Sequence, residues 1–287
     1  MTGALTFIGF GEAGAALALP GVTAFDRKTE TPATRAAKLA DYASAAVIGA
    51  RSAGEAVAGA SLVLSLVTAD QALAAAEQAA PHLSPGALYL DLNSVAPGTK
   101  RAAAKCVTAA GARYVDVAIM APVLPARLAV PLLVAGEHAE EAAARLREYG
   151  FGDVRLVGSA VGDASAIKMI RSVMVKGVEA LTAECLLAAH RAGVIEAVIA
   201  SLDAGSAGAD WALRADYNLD RMLVHGIRRA AEMEEVARTL SDLGVDPVLT
   251  RGTIVRQREL GRLGLAPAAG LAAKLDQIDS GRAEQAA

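Results

Sequence analysis

The stretch TFIGFGEAG, residues 6–14, decides the fold of this chain because it joins a short apolar strand to a glycine-rich turn. Glycines stand at positions 9, 11 and 14, and the Ala- and Leu-rich segment that follows favours a helix. In such a unit the first glycine permits the tight turn, the second lets the backbone approach a pyrophosphate, and the third lets the helix pack on the strand. The stretch therefore predicts a dinucleotide site, with the free N–H groups of the helix facing the phosphates.

A second strand, residues 22–25, ends at Asp26 and is followed by two basic residues, Arg27 and Lys28. A carboxylate at this point accepts hydrogen bonds from the adenosine ribose and repels a 2′-phosphate, which favours NAD as the cofactor. The basic side chains favour NADP, so NADP stays open, as does the simpler interpretation that Asp26 only ends a strand. Asp26 follows Gly9 by 17 residues, fewer than the usual spacing of about 20, which predicts a short first helix.

Apolar strands and helical segments then alternate along the chain, and further strands are predicted at 61–68, 87–92, 113–120, 132–136 and 154–158. This alternation predicts a parallel α/β sheet of the Rossmann type. Ligands of such sheets bind outside the carboxyl ends of the strands, which adds Val67 and Thr68 to the candidate site. The cofactor contacts predicted so far are Gly9, Phe10, Gly11, Glu12, Ala13, Gly14, Asp26, Arg27, Val67 and Thr68.

Strands disappear from the pattern after Gly162, where a long helix is predicted to run to residue 191. Further helices are predicted at 194–204, 208–215, 218–240, 246–262 and 266–279. The chain therefore divides into a Rossmann-type domain, residues 1–161, and an all-α domain, residues 162–287, with the long helix between them.

The long helix has two sides at the three-to-four-residue spacing of a helix. The apolar side, which we expect to be buried, carries Ile167, Ile170 and Met174. The other side is a polar line that carries Lys168, Arg171, Ser172 and Glu179. Lys168 thus lies near the start of an otherwise apolar helix, and a solvated helix face is the simplest interpretation of this polar line.

The composition excludes several classes of function. The net charge is only −3 and aromatic residues make up 3% of the 287 residues, so neither a strong field nor a stacking platform would recruit nucleic acid. Cys106 and Cys185 have no metal-ligand spacing, which predicts neither a bound metal nor a disulfide framework. The sequence shows no basic leader and no apolar run of membrane-spanning length, which predicts a cytoplasmic protein that acts on a small molecule.

The order of these features resembles the β-hydroxyacid dehydrogenase family, which includes 6-phosphogluconate and 3-hydroxyisobutyrate dehydrogenases. The motif GFGEAG, residues 9–14, matches the family's glycine motif, and DLNSVAP, residues 91–97, is similar to its D-x-S-T-x-x-P segment. Lys168 matches the lysine of its K-x-x-x-N motif. The resemblance covers nearly the whole chain and is to an atypical branch, whose second domain is catalogued as a phosphogluconate dehydrogenase C-terminal domain.

Two motifs depart from the family pattern. Where relatives carry a serine and two glycines that bind the substrate carboxylate, this chain has Met120, Ala121 and Pro122. The asparagine that follows the family lysine is replaced by Ser172, which lies on the same helix face but has a shorter reach. We therefore expect a substrate other than the standard small hydroxyacids.

The resemblance implies an oxidoreductase that moves a hydride between NAD(P) and a hydroxyacid or a related alcohol. Lys168 would be the general acid/base, assisted by Ser172, and its pKa would have to fall from about 10.4 toward neutrality. Asn93 would contact the cofactor. The predicted substrate contacts are Ser94, Met120, Ala121, Pro122 and Arg171. The family also implies a homodimer formed through the all-α domain.

Two alternatives remain at this point. The first is an imine reductase of similar architecture, which the apolar loop at Met120 favours and Lys168 disfavours. The second is a dinucleotide-binding protein without turnover, which the lost serine, glycines and asparagine favour.

Overall fold

A single mixed sheet organises the N-terminal part of the chain. The structure, a computed structural model, describes residues 4–205, 208 and 210–286. Within them the strands are β1 (Leu5–Ile8), β2 (Thr23–Phe25), β3 (Ile48–Gly49), β4 (Leu62–Ser65), β5 (Leu88–Asp91), β6 (Arg113–Ile119), β7 (Leu132–Ala135) and β8 (Val154–Gly158). Their order in the sheet is β3-β2-β1-β4-β5-β6-β7-β8.

Helices cover both faces of this sheet, which explains why its central strands are apolar throughout. The helices of this part are α1 (Glu12–Leu17), α2 (Pro32–Ser44), α3 (Ala53–Val57), α4 (Ala72–Ala79), α5 (Pro97–Ala109) and α6 (Ala139–Tyr149). One core contains Leu17 of α1 and Leu146 of α6, and a second core contains Ala76 of α4 and Val107 of α5. Every residue of β4 and β5 is buried, as expected of strands covered on both sides. The predicted fold class is confirmed.

One strand corrects the prediction of a wholly parallel sheet, because β7 pairs antiparallel with β6. Residues 120–131, which connect the two strands, contain only a short 3-10 turn at Arg127–Ala129 and no crossover helix. A parallel neighbour needs such a crossover, whereas an antiparallel neighbour can follow a shorter connection. The other strand pairs of the sheet are parallel.

The remaining helices are α7 (Asp163–Arg191), α8 (Ile195–Gly205), α9 (Trp211–Asp242), α10 (Val248–Arg262) and α11 (Leu271–Ala286). The chain forms two compact units, residues 1–169 and 170–287, so the division falls inside α7. The sequence placed the boundary at 161/162, at the start of this helix. That assignment of domains stays a prediction.

The separate helices predicted at 208–215 and 218–240 are one helix, α9, in the structure. Asp210 starts it, because its side chain accepts a hydrogen bond from the backbone N–H of Leu213 at 2.8 Å. No glycine or proline interrupts the chain between the two predicted segments, and Asn218 is buried inside the helix. Residue 209, in the first predicted segment, lies outside the described residues.

The prediction that the apolar side of α7 is buried was wrong. Ile167, Ile170 and Met174 are 42%, 47% and 68% exposed. The side chains of Ser172 and Glu179, from the predicted polar line, are buried instead, and Arg171 of that line is exposed. Two of the four residues of the predicted polar line are therefore buried, whereas the three apolar residues are exposed.

Partners from other helices make this inversion tolerable, because a buried charge needs a counterion. Lys176 Nζ donates to Glu232 Oε2 at 2.5 Å, and Arg229 pairs with Glu179, which also accepts a hydrogen bond from Gln257 Nε2 at 3.0 Å. Burial lowers the pKa of Lys176, and the neighbouring Glu232 carboxylate opposes this change.

No helix in the described part of the chain has both the length and the apolar character that a membrane crossing requires.

Candidate active site

The glycine-rich loop between β1 and α1 is closed at its ends and open at its centre. Gly9 has φ +91°, and a Cβ added there would lie 2.3 Å from the carbonyl oxygen of Leu66. A Cβ on Gly14 would lie 2.6 Å from the carbonyl oxygen of Gly9, whereas a Cβ on Gly11 would meet no atom within 4 Å. The first and third glycines are thus required by the protein's own packing, and the second faces open space. This is the arrangement that a pyrophosphate needs for close approach to the backbone.

The other loop residues support this opening. Glu12 and Ala13 form the first turn of α1, whose backbone N–H groups have no partner within the helix. Phe10 is buried, and its ring packs edge-on against Tyr42 with centroids 5.1 Å apart. Lys38 Nζ donates to the carbonyl oxygen of Phe10 at 2.7 Å. Phe10 therefore anchors the loop to the core, and Lys38, which the sequence did not indicate, fixes its backbone.

Asp26 lies at the end of β2 and serves the same loop. Its Oδ2 accepts the backbone N–H of Phe10 at 2.9 Å, and its Oδ1 accepts that of Lys28 at 2.9 Å. Each carboxylate oxygen keeps a second lone pair, so ribose hydroxyls could still donate to it. Arg27 is exposed and donates to the side chain of Gln71. The structural and the cofactor-binding interpretations of Asp26 are therefore compatible.

Asn93 connects the chain segments that leave β4 and β5. Its Nδ2 donates to Ser65 Oγ at 3.0 Å, and its Oδ1 accepts the backbone N–H of Val67 at 2.6 Å. The side chain is buried, while Val67 is half-buried and Thr68 is exposed. Asn93 therefore shapes the carboxyl edge of the sheet beside the expected cofactor position.

Lys168 and Ser94, which lie 74 positions apart in the sequence, meet in this part of the fold. Lys168 Nζ donates to Ser94 Oγ at 2.5 Å, and both side chains are half-buried. The sequence assigned these residues to catalysis and to substrate binding without requiring that they touch. The structure brings them together in the unit that also contains the glycine loop.

Arg171 and Ser172 belong to the second compact unit, residues 170–287. Arg171 is exposed and Ser172 is buried. The predicted substrate contacts of Arg171 and the catalytic assistance of Ser172 stay predictions.

The loop that departs from the family pattern starts inside an apolar cluster. Met120 packs against a group of small and aliphatic side chains that includes Ala118 and Ala164. Ala121 and Pro122 are exposed. None of these three side chains carries a hydrogen-bond donor, so Met120, Ala121 and Pro122 offer a substrate only apolar surface and backbone groups.

A buried cluster of charges beneath the site was missed by the sequence argument. Lys100 Nζ lies 3.0 Å from Asp91 Oδ1 and 3.3 Å from Asp116 Oδ1, and all three side chains are 0% or 1% exposed. A signal was available, because Asp91 and Asp116 both stand in strongly apolar strands, where a carboxylate requires a cation or several hydrogen bonds. The sequence alone did not show that Lys100 is that cation.

Tyr114 adds a hydroxyl to this cluster. Burial, reinforced by the negative charge of Asp91, raises the pKa of Tyr114 well above its ordinary value. The phenol therefore stays protonated, and it donates to Asp91 Oδ2 at 2.7 Å.

A Rossmann-type sheet with an open glycine loop, and a contact between Lys168 and Ser94 in the same unit, are typical of dinucleotide-dependent oxidoreductases. Residues 4–150 match the family described as the NAD binding domain of 6-phosphogluconate dehydrogenase, and residues 189–260 match a domain of unknown function, DUF1932. The chain belongs to the first of these families and thus to the β-hydroxyacid dehydrogenases, and its cofactor is NAD or NADP. The predicted family and the predicted NAD(P) cofactor are confirmed.

Solved structures of similar proteins agree with this assignment. A conserved hypothetical protein from Sinorhizobium meliloti 1021 is 37% identical, with 99% of this chain and 97% of that chain covered and a TM-score of 0.72. A conserved protein of unknown function, similar in structure to 3-hydroxyacid dehydrogenases, is 30% identical, with 99% and 100% covered and a TM-score of 0.66.

More distant structures show the fold alone. The 3-hydroxyisobutyrate dehydrogenase of Mycobacterium tuberculosis is 19% identical, with 98% of this chain and 99% of that chain covered and a TM-score of 0.70. An imine reductase from Streptomyces aurantiacus is 21% identical, with 96% and 99% covered and a TM-score of 0.54. The fold therefore does not distinguish the two reactions.

Replacing Gly11 by valine should separate cofactor binding from folding. The added side chain enters open space, and the φ of Gly11, −86°, lies outside the left-handed region that disfavours a side chain. We expect a melting temperature close to that of the wild type and at least about a tenfold loss of NADH affinity in a fluorescence titration, equivalent to about 1.4 kcal/mol. Gly9→Ala is the matched variant at a position where the added Cβ meets the backbone of Leu66. It should lower both the melting temperature and the NADH affinity. Unchanged NADH affinity in Gly11→Val would contradict this assignment of the loop.

Proposed function

We propose that the protein is an NAD(P)-dependent dehydrogenase that acts on the CH–OH group of a hydroxyacid or a related alcohol, with Lys168 as the general acid/base. The observation that carries the proposal is the 2.5 Å contact between Lys168 Nζ and Ser94 Oγ, in the same unit as the open glycine loop. A lysine and a hydroxyl in contact can share and move a proton, which oxidation of an alcohol requires.

In the oxidation direction, neutral Lys168 takes the proton of the substrate hydroxyl. In reduction, the Lys168 ammonium returns a proton to the carbonyl oxygen, and its charge stabilises the negative charge that forms there. Ser94 can accept a hydrogen bond from Lys168 while its own hydroxyl donates to the same substrate oxygen, because a hydroxyl has one donor and two acceptor positions. NAD(P), when bound, supplies or receives the hydride.

The chain's contribution to cofactor binding rests on its backbone. Gly9, Gly11 and Gly14 shape the turn, and the first turn of α1, at Glu12 and Ala13, presents N–H groups to a pyrophosphate. The other cofactor contacts that we propose are Phe10, Asp26, Arg27, Val67, Thr68 and Asn93. Among these, Phe10 and Asn93 act mainly by holding the loop shapes, since they are buried and hydrogen-bonded within the protein.

The proposed substrate site combines one polar pair, Lys168 and Ser94, with a short apolar segment, residues 120–122. Ser94 would contact the reacting oxygen, while Met120, Ala121 and Pro122 offer no side-chain donors to a carboxylate. We propose that Arg171 binds an anionic group of the substrate, if it carries one, and that Ser172 assists Lys168. This set favours a substrate that is more apolar than a standard small hydroxyacid.

The apolar segment 120–122 also supports a second candidate function, which is the reduction of an imine. Met120 packs against an apolar cluster, and neither it nor Ala121 or Pro122 has a side-chain donor for a carboxylate. The two candidates are separated by assaying a cyclic imine and a 3-oxo acid side by side with NADH and NADPH. Reduction of the imine alone would replace the dehydrogenase proposal.

Replacing Lys168 by methionine should abolish turnover, because methionine has a similar length but cannot carry a proton. We expect a loss of at least about 100-fold in kcat, the contribution typical of general acid/base catalysis, with NADH affinity within about threefold of the wild type. Steady-state kinetics and fluorescence titration measure the two effects. Lys105→Met is the matched control, since Lys105 is exposed on α5. Retention of most activity in Lys168→Met would remove this mechanism.

We propose that NAD is preferred over NADP, because the Asp26 carboxylate would repel a 2′-phosphate. The wild type should then bind NADH more tightly than NADPH, and Asp26→Asn should narrow the difference by about tenfold, equivalent to about 1.4 kcal/mol, while keeping an oxygen that can accept a hydrogen bond. Arg27→Gln should widen the difference in affinity between NADH and NADPH, since it removes a cation next to Asp26. Fluorescence titrations with both cofactors test this. Tighter binding of NADPH by the wild type would reverse the preference.

We propose further that the protein forms a homodimer through its helical part. Ile170, Met174 and Leu181 form an exposed apolar stripe on α7, and such stripes are typical of surfaces that pack against another helix. Met174→Glu should therefore shift the protein from dimer to monomer in sedimentation velocity. The matched control is Leu39→Glu, because Leu39 is an exposed leucine on α2 of the other unit. A wild type that sediments as a single chain would contradict the proposal.

A further inference from the structure

Two carboxylates and one ammonium lie next to each other inside the sheet. Asp91 and Asp116 are direct neighbours in the register of β5 and β6, and Lys100 Nζ lies within 3.3 Å of a carboxylate oxygen of each. All three side chains are shielded from water. A buried carboxylate requires a compensating partner, and the Lys100 side chain supplies one positive charge next to both.

Asp91 connects the ammonium to the segment that carries Ser94. Lys100 Nζ donates both to the carbonyl oxygen of Asp91 at 2.5 Å and to its Oδ1 at 3.0 Å. The same Oδ1 accepts the backbone N–H of Asn93 at 2.9 Å, and Tyr114 holds the other carboxylate oxygen. The backbone next to Ser94 is therefore fixed by Asp91, which is itself fixed by Lys100.

Asp116 connects the ammonium to the helix that carries Lys168. Asp116 Oδ2 accepts the backbone N–H groups of Gly162 and Ser165 at 3.1 and 3.0 Å and the hydroxyl of Ser165 at 3.0 Å. These donors belong to the start of α7, whose first N–H groups have no partner within the helix. Lys168 follows Ser165 by about one turn of helix. The start of this helix is thus attached to β6 through Asp116.

We propose that Lys100 is a positioning residue that sets the contact between Lys168 and Ser94. Both segments that meet at this contact are attached to the same buried ammonium, one through Asp91 and the other through Asp116. Lys100 itself is 0% exposed, so it acts only through these neighbours. Its effect on the reaction rests on the proposed function, but its effect on the two segments does not.

The experiment compares three variants by hydrogen exchange with mass spectrometry. Lys100→Met removes the ammonium that both aspartates share and keeps a side chain of nearly the same length. Asp116→Asn removes the charge of the aspartate that binds the start of α7 and keeps a side chain of nearly the same shape. Lys105→Met changes an exposed lysine of the same helix and is the control. The peptides to follow cover residues 92–96 and residues 162–168, with the buried strand β4 as the internal reference.

In Lys100→Met, exchange should rise in both peptides by clearly more than in β4, which reports the general loss of stability. In Asp116→Asn it should rise in the 162–168 peptide only, because Lys100 still holds Asp91. Lys105→Met should match the wild type. A residue that only adds stability would instead raise exchange in β4 as much as in the two peptides, and that result would overturn the proposal, as would unchanged exchange at both peptides in Lys100→Met. If Lys100→Met does not fold, Lys100→Gln, which keeps a hydrogen-bond donor but no charge, takes its place: a rise in both peptides beyond that in β4 supports the proposal, and no rise or an equal rise in β4 overturns it.

Kinetics provide the second readout where a substrate is turned over. A displaced Lys168 should lower kcat by roughly 10- to 100-fold, as small misplacements of reacting groups do, with the KM for the cofactor nearly unchanged. Equal losses in kcat and in cofactor affinity would point to general damage and overturn the positioning role. If no substrate is turned over by the wild type, the proposed function fails, whereas the exchange pattern still decides whether Lys100 holds the two segments.

Discussion

The burial of Asp91 and Asp116 on neighbouring strands is the constraint on which the candidate site depends. Neither carboxylate reaches water, so each must be compensated within the protein. Lys100 supplies the charge, and the backbone N–H groups that receive the remaining hydrogen bonds belong to the two segments that carry Ser94 and Lys168. Breaking such a buried group costs about 3–5 kcal/mol, because it leaves an uncompensated charge. Because separating these three side chains is costly, the cluster holds the segments that carry Ser94 and Lys168 rigidly in place.

Residues in and around the glycine-rich loop also have two roles. Those proposed to bind the cofactor make hydrogen bonds that fix the backbone of the protein. Asp26 accepts the N–H of Phe10 in the loop, and Asn93 accepts that of Val67 in the segment that follows β4, so each side chain fixes backbone that is proposed to contact the cofactor. Backbone N–H groups held in advance bind an anion without the cost of ordering them. Motif residues of this kind can therefore matter for binding without touching the ligand.

The long helix α7 shows where patterns of polarity mislead. Its isoleucines and Met174 predicted a buried side, yet they are exposed, and its charged line is the side that packs. Periodicity identifies two faces of a helix but not which one finds partners. Here Glu179 finds Arg229 and Lys176 finds Glu232 on another helix, more than 45 positions away in the sequence. These ion pairs between helices add to the apolar packing of Ala180, Ala183 and Leu187, which lie further along the same helix.

The sequence by itself determined what depends on neighbouring residues. The glycine spacing at 9, 11 and 14 specified the turn, the alternation of segments specified the sheet, and the uninterrupted run after Gly162 specified α7 to its ends at Asp163 and Arg191. Only the tertiary structure decided which distant side chains meet. The contact of Lys168 with Ser94 and the place of Lys100 between two aspartates require β5, β6, α5 and α7 to be assembled, because a lysine shows its partner only when the fold has brought one within reach. The antiparallel direction of β7 was also decided only by the tertiary structure. It follows from the connection between β6 and β7, which contains no crossover helix, and not from the residues of the strand.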